Sequence, residues 1–215
     1  MKRLSILLFA ISFLSCKSSF AQEKIDPEAR KLNDSAVGSR FSLAYHDYNQ
    51  ALEHSIDLLN QAIRIDSNYL TAYWNKFMFQ NDLKRYKDAA VTGQQLIKLK
   101  PLNASIKYMV GETYDRMGDT ITSAEYYRSS LSMLDNMLDT MKASDNKIYK
   151  SAIVNKAIVL ILLNQPEKGH NILKELYAKE TNESYKRMLQ MYIDFNKHGV
   201  IYGKDTSTLN NKGGF

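Results

Sequence analysis

Four histidines, His46, His54, His170 and His198, and one cysteine, Cys16, are the side chains on which metal-ion or nucleophilic chemistry in this chain could rest. No two of the histidines have the three- or four-residue spacing that lets a helix turn two imidazoles toward one metal ion. His46 and His54 would share a helix face only if one helix ran through both. A lone cysteine allows no internal disulfide and no multi-cysteine metal site. The chain holds no glycine-rich phosphate loop, no HExxH and no nucleophile elbow. Carboxylates at helical spacing, such as Asp115 and Asp119, read as solvated faces. Asn103-Ala-Ser and Asn182-Glu-Ser match glycosylation sequons. The chemistry-bearing side chains therefore predict no enzyme: no catalytic, metal-binding or cofactor-binding residue is expected, and no cofactor.

Cys16 belongs with the amino terminus. Lys2 and Arg3 precede an apolar run from Leu4 to Leu14, interrupted by Ser5 and Ser12. That run is too short to span a bilayer as a helix and has the length of a secretory h-region. Two cleavage sites follow it. Phe13-Leu14-Ser15-Cys16 resembles a lipobox, which would place lipid on Cys16. Ser19-Phe20-Ala21 is a small-x-small site that would release a chain starting at Gln22. Either one predicts export, to the periplasm or the outer membrane of a bacterial envelope, with a lipid on Cys16 as the one expected link to a membrane. Export also reduces the apparent basicity. The full chain has 29 basic and 23 acidic residues, +6; loss of Lys2 and Arg3 leaves +4, and loss of Lys17 as well leaves +3. The remaining cations are scattered, without an arginine-rich run or a basic–aromatic ladder, so nucleic acid is not an expected partner.

The elements that would carry any site are helices. Three prolines and nine glycines in 215 residues, with abundant Ala, Leu, Lys, Gln and Met, favour helix over strand. The chain also repeats. Ser55, Ala89 and Ser123 stand 34 residues apart, as do Ala62, Leu96 and Ser130, and Leu43, Phe77 and Gly111. Ala157 and Gly169 follow Gly111 and Ser123 after 46 residues instead. Stripes such as Leu58, Ala62 and Ile65 give these helices an apolar face.

With this spacing the chain resembles the tetratricopeptide repeat, a pair of antiparallel helices of 34 residues. Units start at Ala36, Leu70, Ala104 and Lys150. The small residue at position 8 is Gly111 or Ala157, and that at position 20 is Ser55, Ala89, Ser123 or Gly169. Tyr114 stands at position 11, Gly118 at 15, Tyr127 at 24, Ala62 or Ser130 at 27, and Pro101 at 32. The third unit, GETYDRMGDTITSAEYYRSSL, carries the pattern most completely. Small residues at 8 and 20 let the two backbones of a unit approach where they cross. The resemblance implies an all-α fold, a short right-handed solenoid of about four helical hairpins with a C-terminal capping helix.

The expected organisation is a signal peptide over 1–21, a polar tether over 22–34, a repeat domain over 35–202 and a flexible tail over 203–215. Units span 36–69, 70–103, 104–149 and 150–183, with a capping helix at 184–197. In the first unit the turn between helices falls near Asn49–Leu52, and the second helix of the third unit runs on toward Lys142. The resemblance implies that positions 2, 5, 9 and 12 to 13 of each first helix face a ligand. In the second unit these are Thr71, Trp74, Met78, Asn81 and Asp82; in the third, Ser105, Tyr108, Glu112, Asp115 and Arg116. Arg40 and Asn75 partly match the family's clamp for a C-terminal carboxylate, whereas Ala44 and Met109 occupy other places where it needs polar residues. The function so implied is a non-catalytic scaffold or adaptor that binds a protein or peptide in the cell envelope. Two rivals are a small-ligand binder or enzyme with a pocket between repeats, and a structural subunit of an envelope complex.

Overall fold

A computed structural model of the chain describes residues 25–42, 47–141 and 147–202. The leader, with Cys16 and both cleavage sites, and the tail over 203–215 lie outside the described residues, as does His46. Every regular element among the described residues is a helix: α1 (Pro27–Ser42), α2 (Tyr48–Ile65), α3 (Leu70–Asp82), α4 (Tyr86–Leu99), α5 (Ala104–Arg116), α6 (Thr120–Thr140), α7 (Lys147–Leu162), α8 (Pro166–Lys179), α9 (Glu183–Ile193) and α10 (Lys197–Tyr202). The protein is all-α, and α1 packs on α2, α3 on α4 and α7 on α8 as consecutive hairpins. Two compact units divide it, one ending at Ser123 and the other beginning at Ala124.

Local chemistry sets the helix ends. The Asp47 carboxylate accepts from the backbone N–H groups of Asn49 and Gln50, Asn103 accepts from Ile106, and Asn182 from Tyr185, each satisfying donors that the first helical turn leaves unpaired. Pro166 opens α8, where its missing N–H costs nothing. Three hairpin turns share one geometry. Lys84, Gly118 and Asn164 each stand two residues past a helix end, with φ of 60°, 84° and 60°. The next residue closes the turn in each case: Arg85 N–H donates to Gln80 O, Asp119 to Tyr114 O and Gln165 to Leu160 O, at 2.8, 3.0 and 2.9 Å. This is the six-to-one bond of a Schellman cap, whose left-handed residue favours glycine. Only one of the three is glycine. Lys84→Gly is therefore expected to raise stability by about 1 kcal/mol, and Gly118→Ala to lower it by a similar amount. Denaturant midpoints check both, and a midpoint lowered by Lys84→Gly would mean that its side chain contributes more than the strain costs.

Close helix crossing is met differently in each hairpin. Ser55 Oγ on α2 lies 2.8 Å from Ala36 O on α1 and can donate to it. In the second hairpin Phe77, a large residue, fills position 8, and Gly93 on α4 makes room: a Cβ there would stand 3.1 Å from the Phe77 ring. In the fourth, a Cβ on Gly169 would stand 2.5 Å from Ala157 O. Around these crossings the first unit buries Ala29, Ala36, Leu52, Ile56, Leu59, Ala62, Tyr69, Ala72 and Phe79 in one cluster. The second buries Val154, Ile161, Leu162, Leu173 and Leu189.

Three expectations differ from the structure. Helix α1 begins at Pro27, so most of the segment read as a polar tether is helical and buries Ala29 and Asn33. The Asp26 carboxylate caps it, accepting from Glu28 N–H at 2.8 Å, and Pro27 fits the first position. Asn49–Leu52, read as a turn, lies inside α2, because Asp47 starts that helix. The first unit is consequently out of register. Asn33 meets Asn75 and Arg40 meets Asp82, both 42 residues apart rather than 34. The capping segment also divides: α9 stops at Ile193, and α10 restarts at Lys197 after Asn196, whose side chain accepts from Gly199 N–H at 2.7 Å.

Candidate functional site

Helices α3 and α5 carry the ten residues that the repeat resemblance puts toward a ligand, and the structure treats them unequally. Thr71 is exposed; Trp74, Met78, Asn81, Asp82, Ser105 and Arg116 are half-buried. Tyr108, Glu112 and Asp115 are buried, at 6%, 5% and 0% exposure. The half-buried set further divides by what its polar atoms do. Asp82 accepts from Arg40 Nη2 at 3.1 Å and from the Tyr48 hydroxyl at 3.3 Å, while Arg40 Nη2 also donates to that hydroxyl at 2.9 Å. The Arg40 guanidinium lies 5.2 Å from the Phe79 ring centre and 5.9 Å from that of Tyr48, within cation–π range. Burial raises the pKa of Asp82 above the usual carboxylate range, and Arg40, the Tyr48 hydrogen bond and Arg116 oppose the shift. Burial likewise raises that of Tyr48, against the hydrogen bond from Arg40.

Asn81 is engaged on both sides, donating to Phe77 O at 2.9 Å and accepting from the Thr113 hydroxyl at 3.1 Å. Asn75 donates to Asn33 at 2.8 Å. A ladder of polar pairs thus ties α1 to α3 and α3 to α5. Arg40 and Asn75, the partial matches to a carboxylate clamp, are both rungs of it. Asn33, Tyr48 and Thr113 complete the ladder; Asn33 and Thr113 meet their partners 42 and 32 residues away, off the period, whereas Tyr48 meets Asp82 at 34.

Glu112 stands apart chemically. Its pKa is pushed up to about 7 by burial; Arg116 opposes the shift and Asp115 adds to it. A carboxyl of that kind occurs at catalytic sites and in structural interiors alike. Among the described residues no group of three His, Cys, Asp or Glu side chains could hold a metal ion. His54 is exposed on α2, and His170 Nε2 is 2.9 Å from Phe195 O. Asn103 and Asn182, the two sequon residues, serve as helix caps.

The second unit holds an open groove of about 700 Å³ between the end of α6, the start of α7 and the length of α8. Lys150 closes one side through an ion pair with Glu180 at 3.0 Å. The Glu180 carboxylate also accepts from the N–H groups of Thr181 and Asn182, both at 2.9 Å, and these bonds, the one to Asn182 foremost, hold its pKa below the usual range. Lys156, across the groove, pairs with Asp135 on α6 at 2.7 Å. No described helix is long and apolar enough to cross a membrane.

No protein-family profile and no curated protein matches the chain. Among solved structures the chain is similar to a crystal structure of MamA, at 16% identity and a TM-score of 0.46, covering 76% of this chain and 83% of that one. It is similar also to a crystal structure of MamA protein, at 14% identity and a TM-score of 0.39, over 74% of this chain and 94% of that one.

Proposed function

We propose that this chain is an exported, non-catalytic scaffold that binds a protein or peptide of the bacterial envelope across α3 and α5. The observation that carries the reading is a division of labour along those helices. Asp82, Asn81 and Asn75 are consumed by the ladder that fixes one helix against the next. Thr71, Trp74, Met78, Ser105 and Arg116 keep part of their surface open to solvent. A rigid row of helices that offers an aromatic, a flexible thioether and a guanidinium suits recognition by surface complementarity. Trp74 is braced by Phe77, the two ring centres 6.4 Å apart, so it would meet a partner with little loss of side-chain freedom. Export rests on the leader sequence and Cys16.

Cross-linking in the native envelope, with a photoreactive residue in place of Thr71 or Ser105, identifies the partner. Against that partner, Trp74→Ala is expected to weaken binding at least tenfold, roughly 1.4 kcal/mol, with helicity unchanged. Normal binding accompanied by lost stability would make Trp74 a packing residue and remove the proposed face. Mass spectrometry of the native amino terminus separates the lipid on Cys16 from a free Gln22.

A further inference from the structure

The groove of the second unit has features that the α3–α5 face does not use. Its walls are two helical stripes of the same length. Tyr149, Lys150, Ile153 and Lys156 line it from α7, and Ile172, Glu175, Leu176 and Lys179 from α8. The α8 stripe follows the i, i+3, i+4, i+7 pattern of one helix face, and seven residues of helix rise about 10 Å, or two turns. Leu138, Ile153, Ile172 and Leu176 are apolar and only half-buried. A trough two turns long, with an apolar floor and walls formed by helices, has the shape into which a further helix packs its ridge.

Charge narrows the occupant. Lys150 and Lys156 are neutralised by Glu180 and Asp135. Asp139, Glu175 and Lys179 also line the groove, all three exposed, and take part in none of the ion pairs among the described residues. The unmatched charge is thus two carboxylates against one ammonium.

We propose that the groove between α6, α7 and α8 is a docking site for a short amphipathic helix of a partner protein. Its apolar stripe seats on Leu138, Ile153, Ile172 and Leu176, and basic side chains on its flank meet Asp139 and Glu175. The proposal is independent of the α3–α5 face, on which Trp74 acts, so each can fail alone.

The test uses two stapled helices of about twelve residues. Both carry leucine at i, i+3, i+4 and i+7, one flanked by lysines and the other by glutamates. Each is titrated into the chain labelled at its Ile, Leu and Met methyl groups. The lysine peptide is expected to shift the methyl signals of Leu138, Ile153, Ile172 and Leu176 and to bind about tenfold tighter than the glutamate peptide. Charge reversal by Asp139→Lys with Glu175→Lys, at exposed positions, is expected to invert that preference. Equal affinity of the two peptides, or a preference that survives the reversal, would overturn the proposal. So would the absence of binding, shifts confined to methyls of α3 and α5 such as Met78 and Ile106, or groove signals that change with chain concentration alone, which would mark a second copy as the occupant.

Discussion

Gly169→Ala is expected to lower stability by about 2 kcal/mol, and Gly169→Leu by about 3 kcal/mol or more, because the obstacle at this position is backbone. A Cβ on Gly169 would stand 2.5 Å from Ala157 O and 2.6 Å from Ile161 Cγ1. The isoleucine could rotate, but the carbonyl oxygen moves only if α7 moves, and both Ala157 and Ile161 are buried. Gly93 supplies the internal control. A Cβ there would meet Val110 Cγ2 at 2.6 Å and the Phe77 ring at 3.1 Å, side-chain rather than backbone atoms, both on buried residues. Alanine gains about 1 kcal/mol of helix propensity over glycine at either site. At Gly93 that gain offsets most of the crowding, so Gly93→Ala should change stability by less than about 1 kcal/mol. In a chain of this size the Gly169→Ala loss lowers the melting temperature by about 4–8 °C. Equal shifts for the two alanine variants would show that α7 and α8 can separate freely, and that the helix crossing is not what requires glycine.

Gly169, unlike Gly93, also marks what the sequence made legible. The 34-residue spacing located the starts of α3 and α5 at Leu70 and Ala104, because small residues at fixed positions are a local demand of helix crossing. It failed for the first hairpin, where the same demand is met by Ser55 against Ala36 and residues of α1 meet their partners on α3 42 positions away rather than 34. A period cannot register a helix whose distance from its partner has changed. Exposure was not legible either. Trp74 and Tyr108 hold the same place in successive units, yet Trp74 is half-buried and Tyr108 is buried. What covers an aromatic depends on residues far along the chain, as does the Arg40–Tyr48–Asp82 cluster. The groove of the second unit was invisible for the same reason, since it needs α6, α7 and α8 together.

Stability is expected to fall as pH rises from about 4.5 to about 7, and Glu112→Gln should remove most of that fall. The Glu112 carboxyl is 5% exposed, and burial pushes its pKa from 4.5 up to about 7. In that interval the folded protein holds a proton that the unfolded chain has released. Because stability rises with pH only where the unfolded state binds more protons, the slope here is negative. The stabilising contribution is complete below pH 4.5, declines through the interval and is gone above pH 7. Integrated over it, the change is on the order of 3 kcal/mol. Asp82, also raised by burial, adds in the same direction. Glu180 and Asp119, whose pKa values backbone hydrogen bonds lower, act oppositely and in a separate window, losing stability only as pH falls through their depressed values. Glutamine keeps the side-chain volume and cannot ionise. Wild type and Glu112→Gln should therefore be similarly stable near pH 4.5, with the variant more stable at pH 8 by up to the order of 3 kcal/mol. Urea denaturation at the two pH values checks this. Parallel pH dependence in the two proteins would mean that Glu112 is ionised in the folded state and that the opposing charge of Arg116 outweighs its burial.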